Sequence, residues 1–186
     1  MRKLSHDEIS VNRTSLDKIH TVKKLPVTVL LNSIRSSYNV GSIFRTSDGA
    51  MIEKLILCGY TPHPPIDEEN PGNKDVLKTA LGSTQSVKWQ YIKNPIDAIK
   101  DLKTKGIKIC ALELTENSKP YSDFMLYDFP LCLVVGNEIT GVSQEVLDLC
   151  DYSIEIPQYG IKQSLNVAVA YGIAIFELRK IFEQLK

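Results

Sequence analysis

The chain has 186 residues, 43% of them hydrophobic and 24% charged. These are the proportions of one globular domain, and they exclude a disordered or fibrous chain. Lysine plus arginine and aspartate plus glutamate each number 22, which excludes binding of nucleic acid through bulk positive charge. Any such partner must be met by a local basic patch.

The first segment, residues 1–24, carries Arg2, Lys3, Arg13, Lys18, Lys23 and Lys24 against Asp7, Glu8 and Asp17, together with His6 and His20. It reads either as a surface helix packed on the domain or as a basic arm that touches phosphates. Its start, MRKLSHDEISVNRTS, has no apolar stretch of the signal-peptide kind. No apolar run approaches the roughly 20 residues of a membrane span, so a cytoplasmic protein without a membrane partner is expected. The domain proper is expected over residues 25–186.

Val27–Leu31 is a strand, followed by a polar loop and a helix over Val40–Gly49. Lys54–Cys58 is the next strand. Thr61–Asn73, with Pro62, Pro64, Pro65, Pro71 and Gly72, is a loop whose Asp67, Glu68 and Glu69 form a solvated tip. Then come a helix at Val76–Leu81, a strand at Val87–Ile92, and a helix at Pro95–Lys103 with proline in its first turn. Ile107–Leu112 and Leu131–Val135 are apolar almost throughout, as strands of a parallel sheet are. A helix follows at Ser143–Cys150 with Ser143 as N-cap, then a strand at Tyr152–Ile156 and a long closing helix at Ser164–Lys186. This alternation predicts an α/β domain with a mostly parallel sheet and helices on both faces. Cys58, Cys110 and Cys132 lie inside strand-like runs, and no C-x-x-C pair exists, so the cysteines read as reduced core residues. His6, His20 and His63 form no cluster, and no metal is expected.

Ligands of parallel sheets sit beyond the carboxyl ends of the strands, and three polar loops stand there. The first runs from Asn32 through Arg35, Asn39 and Gly41 to Arg45. Asn39 can cap the helix, Gly41 permits close approach, and a helix N-terminus with Arg35 and Arg45 suits phosphate, or else is only a capped helix with a surface arginine. The second, Gly136-Asn137-Glu138-Ile139-Thr140-Gly141, lacks the G-x-G-x-x-G spacing, which argues against a nicotinamide-dinucleotide enzyme. The third joins Ile156 to Asn166 and includes Gln158, Gly160, Lys162, Ser164 and Leu165; its Ser164 and Asn166 stand where a helix cap would.

In this order the three loops resemble the motifs of the SpoU (TrmH-like) class of SPOUT RNA methyltransferases. The first motif is matched by Asn32, Asn39, Gly41, Arg45 and Gly49, the second by Gly136, Asn137, Glu138 and Gly141, and the third by Ile156, Pro157, Gly160, Ser164, Leu165 and Asn166. The resemblance spans about residues 26–182. Many relatives have methionine where this chain has Gln158; a Pro-Gln-x-Gly variant occurs in relatives that resemble tRNA D-loop guanosine methyltransferases.

The resemblance implies a C-terminal deep trefoil knot and a homodimer. It also implies methyl transfer from S-adenosylmethionine to a ribose 2′-hydroxyl of RNA, with S-adenosylhomocysteine as product and tRNA favoured over ribosomal RNA. A non-catalytic RNA-binding or assembly protein on the same scaffold is the competing reading. Cofactor contacts carried over by position fall on Leu112, Glu113, Gly136, Ile156, Leu165 and Asn166, with glycines that let the adenine approach the main chain. The catalytic set implied is Arg45, Asn39, Glu138, Ser164 and Asn166, with Asn39 orienting Arg45 or the ribose. RNA contacts are expected from Asn32, Arg35, Arg45 and Lys162. Arginine keeps its proton at any ordinary pH, so Arg45 is expected to bind a phosphate and polarise the hydroxyl rather than act as a free base.

Overall fold

The computed structural model describes residues 1–11, 13–19 and 21–184. His20 and the last two residues of the expected closing helix, Leu185 and Lys186, therefore lie outside the described residues. The elements in chain order are α1 (His6–Val11), β1 (Leu25–Asn32), α2 (Ser37–Ala50), β2 (Ile52–Cys58), α3 (Lys74–Ala80) and α4 (Ser83–Ser86). They continue with β3 (Trp89–Ile92), α5 (Pro95–Thr104), β4 (Lys108–Leu112), β5 (Lys119–Pro120), β6 (Leu131–Val135), α6 (Gln144–Leu147), β7 (Tyr152–Glu155) and α7 (Val167–Glu183).

The seven strands form one sheet in the order β3-β2-β1-β6-β4-β7-β5, and every pairing is parallel. Strand residues alternate between two cores, as the two-residue period of a strand demands. Val27, Val29 and Leu31 pack with Ile43 and Phe44 of α2 and with Ala174, Ile175 and Leu178 of α7. Leu30, Ile56, Ala111 and Val134 point the other way, towards Ile99 and Leu102 of α5 and Val146 of α6. Helices therefore cover both faces, which is why the central strands read as continuous apolar runs. Cys58, Cys110 and Cys132 are buried, and burial pushes the Cys58 thiol up to about 12. They are core residues.

Three local expectations need correction. The closing helix starts at Val167 and not at Ser164, because the Asn166 carboxamide oxygen accepts from the N–H groups of Ala168 and Val169 and caps the helix there. Ser164 and Leu165 remain in the preceding loop. Ser143 stands at the N-cap position of α6, but its hydroxyl caps nothing; it accepts from Asn32 Nδ2 at 3.4 Å. The cap of α2 is Ser36, whose hydroxyl accepts from the Asn39 N–H, so the Asn39 side chain is free for other partners.

The topology brings the ends of β1, β6, β4 and β7 abreast. Leu31 pairs with Val135, Val135 with Leu112, and Leu112 with Ile154. The loops that follow these strands therefore open on one edge of the sheet. α2 and α7 run parallel on one face, with Asn39 beside Asn166, Ser47 beside Tyr171 and Gly49 beside Phe176.

Candidate active site

A cleft of about 610 Å³ lies over the ends of β6, β4 and β7, within the range of small-molecule sites. Its walls include Leu112, Val135, Ile154, Ile156 and Leu165, and its polar rim is formed by Glu138, Gln158, Lys162 and Ser164. Leu112, Glu113, Gly136, Ile156 and Leu165, the positions carried over as cofactor contacts, all line it; Asn166 does not. Of the implied catalytic set, Glu138 and Ser164 line the cleft, whereas Arg45, Asn39 and Asn166 stand outside it. Lys162 lines it; Asn32 and Arg35 do not.

The loop after β6 is self-supporting. Asn137 and Gly141 exchange both backbone hydrogen bonds, at 3.0 and 2.9 Å, and the Asn137 carboxamide oxygen accepts from the N–H of Ile139 and of Thr140. Gly136 is glycine because a Cβ there would strike the main chain of Gly141 and Val142. The loop's own turn requires this glycine, which also lines the cleft. Gly141 has φ +68°, and a Cβ would collide with the Glu113 carboxylate. That carboxylate is turned into the loop, accepting from Val142 N at 2.8 Å and from Leu114 N at 3.1 Å. Glu113 thus shapes the cleft by holding its floor.

Glu138 ties the second loop to the first. It accepts from Arg35 N (2.8 Å), Ser36 N (3.0 Å) and Asn39 Nδ2 (2.8 Å). Partial burial works against its charge, but the Arg35 N–H, the Asn39 amide and the Ser36 N–H outweigh it and hold the carboxyl below its usual range. The N-terminus of α2 is therefore occupied by an internal anion, which corrects the expectation of an open phosphate site there. Asn39 Oδ1 accepts from Asn166 Nδ2 at 3.1 Å. Glu138, Asn39 and Asn166 form one chain of hydrogen bonds through all three loops. Asn39 accordingly orients Glu138 and Asn166, not Arg45.

Gly41 has a structural reason as well, because a Cβ there would overlap the Thr79 side chain and crowd the Val76 carbonyl of α3. Asn32 is buried at the end of β1, held to Ser143, which leaves it no face for RNA. Arg45 is exposed on α2, and its guanidinium has no hydrogen bond or ion pair among the described residues. The same holds for the exposed Arg35. No metal-binding cluster occurs among the described residues, and no helix there is long and apolar enough to cross a membrane.

One contribution was invisible in the sequence. The loop after β2 is part of the site's frame. The buried Thr61 hydroxyl accepts from Ile34 N at 3.0 Å and lies within hydrogen-bond distance of the carbonyls of Leu31 and Cys58. Tyr60 Oη accepts from Asn137 Nδ2 at 2.6 Å. No local pattern marks either residue, since both roles depend on a neighbour more than 25 positions away.

The comparisons with known proteins agree with this geometry. The profile of the SpoU rRNA methylase family matches residues 26–176. The chain is 35% identical over 160 residues to the tRNA (guanosine(18)-2′-O)-methyltransferase of Aquifex aeolicus, covering 84% of this chain and 70% of that protein. It is 30% identical over 156 residues to the protein of that name from Escherichia coli, covering 83% of this chain and 63% of the relative. Among solved structures, the TrmH/SpoU tRNA modifying enzyme of A. aeolicus superposes with a TM-score of 0.75 at 29% identity, over 91% of this chain and 83% of that one. The SpoU methyltransferase AviRb of Streptomyces viridochromogenes, solved with S-adenosylmethionine, gives 0.74 at 26% identity, over 91% and 65%. A family match over residues 26–176, which takes in all three loops, together with a relative 35% identical over 84% of the chain, places the chain in the SpoU rRNA methylase family.

Proposed function

We propose that the protein is an S-adenosylmethionine-dependent RNA 2′-O-ribose methyltransferase of the cytoplasm, with tRNA as its substrate. The observation that carries the reading is the Glu138–Asn39–Asn166 chain that holds three motif loops around one cleft. The names of the relatives and the Gln158 variant favour tRNA.

The cleft fits the cofactor. It is large enough, its apolar floor suits an adenine, and Gly160 leaves open space where a Cβ would meet nothing. Leu112, Gly136, Ile156 and Leu165 would hold the cofactor, with Glu113 and Glu138 keeping the loops in place. When bound, S-adenosylmethionine supplies an electrophilic methyl on a positively charged sulfur, so the protein has only to align a hydroxyl and manage its proton. Arg45, unpaired and exposed, binds the phosphate beside the target ribose and polarises its 2′-hydroxyl; that phosphate or a water takes the proton. Glu138 is a poor base, since it accepts three hydrogen bonds that hold its carboxyl below the usual range. Ser164 and Lys162 meet the RNA at the rim.

The site is completed by a second copy. Arg45 lies outside the cleft of its own chain, on the helix beside α7, whose Val169 and Phe176 are 52% and 50% exposed. The core stripe of α7 (Val167, Tyr171, Ala174, Ile175, Leu178 and Ile181) is already buried, so these two form a second apolar face. A homodimer through α2 and α7 covers them and delivers Arg45 to the partner's cleft. The C-terminal knot that the family implies belongs to this reading.

Two measurements test the function. S-adenosylhomocysteine raises Tm and nicotinamide dinucleotides leave it unchanged. Nucleoside mass spectrometry of tRNA and ribosomal RNA from cells with and without the gene shows one 2′-O-methyl nucleoside lost from tRNA. A loss confined to ribosomal RNA overturns the substrate. No loss together with no S-adenosylhomocysteine binding overturns the reaction.

A further inference from the structure

Tyr60 is 63% exposed, yet its hydroxyl and both neighbouring residues are held by hydrogen bonds. Its backbone is fixed on both sides. Gly59, at φ +65°, packs against Ser33, donates its N–H to the Lys93 carbonyl at 3.0 Å and accepts at its own carbonyl from Tyr91 Oη at 2.6 Å. Thr61 is anchored by its N–H to the Cys58 carbonyl at 3.2 Å and by its buried hydroxyl. The ring is then tethered at its far end, where Oη accepts from Asn137 Nδ2 at 2.6 Å; the same nitrogen donates to the Ser33 carbonyl at 2.8 Å. Asn137 lines the cleft and precedes Glu138.

A solvent-facing ring with both ends fixed is unusual because an exposed aromatic ordinarily gains nothing from being ordered. Ordering it in advance removes the entropy cost of catching a flat ligand. Nearby, Arg35 presents a guanidinium with no partner among the described residues, on the loop whose Ser33 and Ile34 contact the Gly59–Thr61 turn. An aromatic face with an unpaired cation on the adjoining loop is the chemistry of an unstacked nucleobase and its phosphate.

We propose that Tyr60 is a binding residue for RNA, a fixed platform on which an unpaired base next to the target nucleotide stacks, with Arg35 meeting the adjoining phosphate. The proposal rests on the RNA methyltransferase reading and adds a substrate contact from a loop that none of the three motifs contains.

The test is steady-state kinetics of the full chain on bulk tRNA from cells lacking the gene, with wild type, Tyr60→Phe, Tyr60→Trp and Tyr60→Ala. The dissociation constant of S-adenosylhomocysteine, Tm and mass by light scattering are measured in parallel. A stacking role predicts a KM for tRNA raised about tenfold in Tyr60→Ala, within about threefold of wild type in Tyr60→Phe, and restored in Tyr60→Trp. Mass stays unchanged, and the loss of the tether to Asn137 affects kcat and cofactor affinity equally in Tyr60→Phe and Tyr60→Ala, so the difference in KM between those two reads the ring alone. If the hydroxyl matters only for holding Asn137, Tyr60→Phe behaves like Tyr60→Ala in KM as well, which overturns the proposal. A change of mass in Tyr60→Ala overturns it in favour of a protein contact. If wild type binds S-adenosylhomocysteine and methylates tRNA while Tyr60→Ala matches it, only the platform fails. If wild type methylates no RNA, the functional reading fails first.

Discussion

Arg45 and Glu138 carry opposite charges and opposite kinds of role. Arg45 has its guanidinium free and lies outside its own cleft, so Arg45→Ala is expected to lower kcat by about 100-fold or more with S-adenosylhomocysteine affinity unchanged by isothermal titration. Near-normal turnover would remove it from the mechanism. Glu138 has both oxygens engaged, and its effect is on order and pH. Its folded pKa lies below the unfolded value of about 4.3. The stability it contributes is thus present above that value and lost as pH falls through the folded one. Glu138→Gln should flatten the fall of Tm on acidification in this window while weakening cofactor binding at neutral pH. Tm profiles that remain parallel for the two proteins would show that Glu138 ties nothing together.

At the scale of elements, the packing of α2 decides how the first loop is presented. Gly41 lets α3 approach α2, and a methyl group there has Thr79 and a carbonyl in its way. Gly41→Ala is expected to cost about 1–3 kcal/mol in urea unfolding, although alanine is the better helix former by about 1 kcal/mol. A stabilised variant would mean that the helices part easily. The motif glycines thus split by cause: Gly41 serves helix packing, Gly49 lies against Phe176 at ordinary contact distance, Gly136 and Gly141 serve one tight turn, and Gly160 alone of them opens on empty space. All five look alike in a sequence, where a glycine signals only that a side chain is unwelcome, not what excludes it.

For the whole molecule, the second apolar face of α7 ties assembly to catalysis. Phe176→Glu, which places a charge on an already exposed position, should leave the monomer folded by circular dichroism. It should halve the mass in light scattering and abolish methyl transfer with it. An active monomer would refute both the dimer and the shared site. The described side chains of residues 1–18 are exposed except for the half-buried Glu8, α1 has no buried residue, and Lys23 lies 4.8 Å over the Phe182 ring where the segment joins the domain. If this basic segment touches phosphate, removing residues 1–18 lowers the slope of log affinity for tRNA against log salt by about 1 per lost contact. An unchanged slope makes it a passive extension.

The sequence by itself determined the layers and the loops that matter. Strand runs such as Leu131–Val135 are apolar on both faces because helices cover both, and that composition is visible without coordinates. The three polar loops were legible for the same reason: nothing polar of that kind belongs in a parallel core, so each had to lie at a strand end. Only the tertiary structure decided what each polar group does. Glu138 meets the N-terminus of α2 across about 100 positions, Asn39 meets Asn166 across 127, and Glu113 bonds Val142 across 29. A carboxylate's partners follow from which strand ends lie abreast, and strand order is set by the packing of the whole sheet. For the same reason Tyr60 and Thr61 read as the start of an ordinary proline-rich loop, although the parallel pairing of β1 with β2 and β6 brings them to the frame of the site.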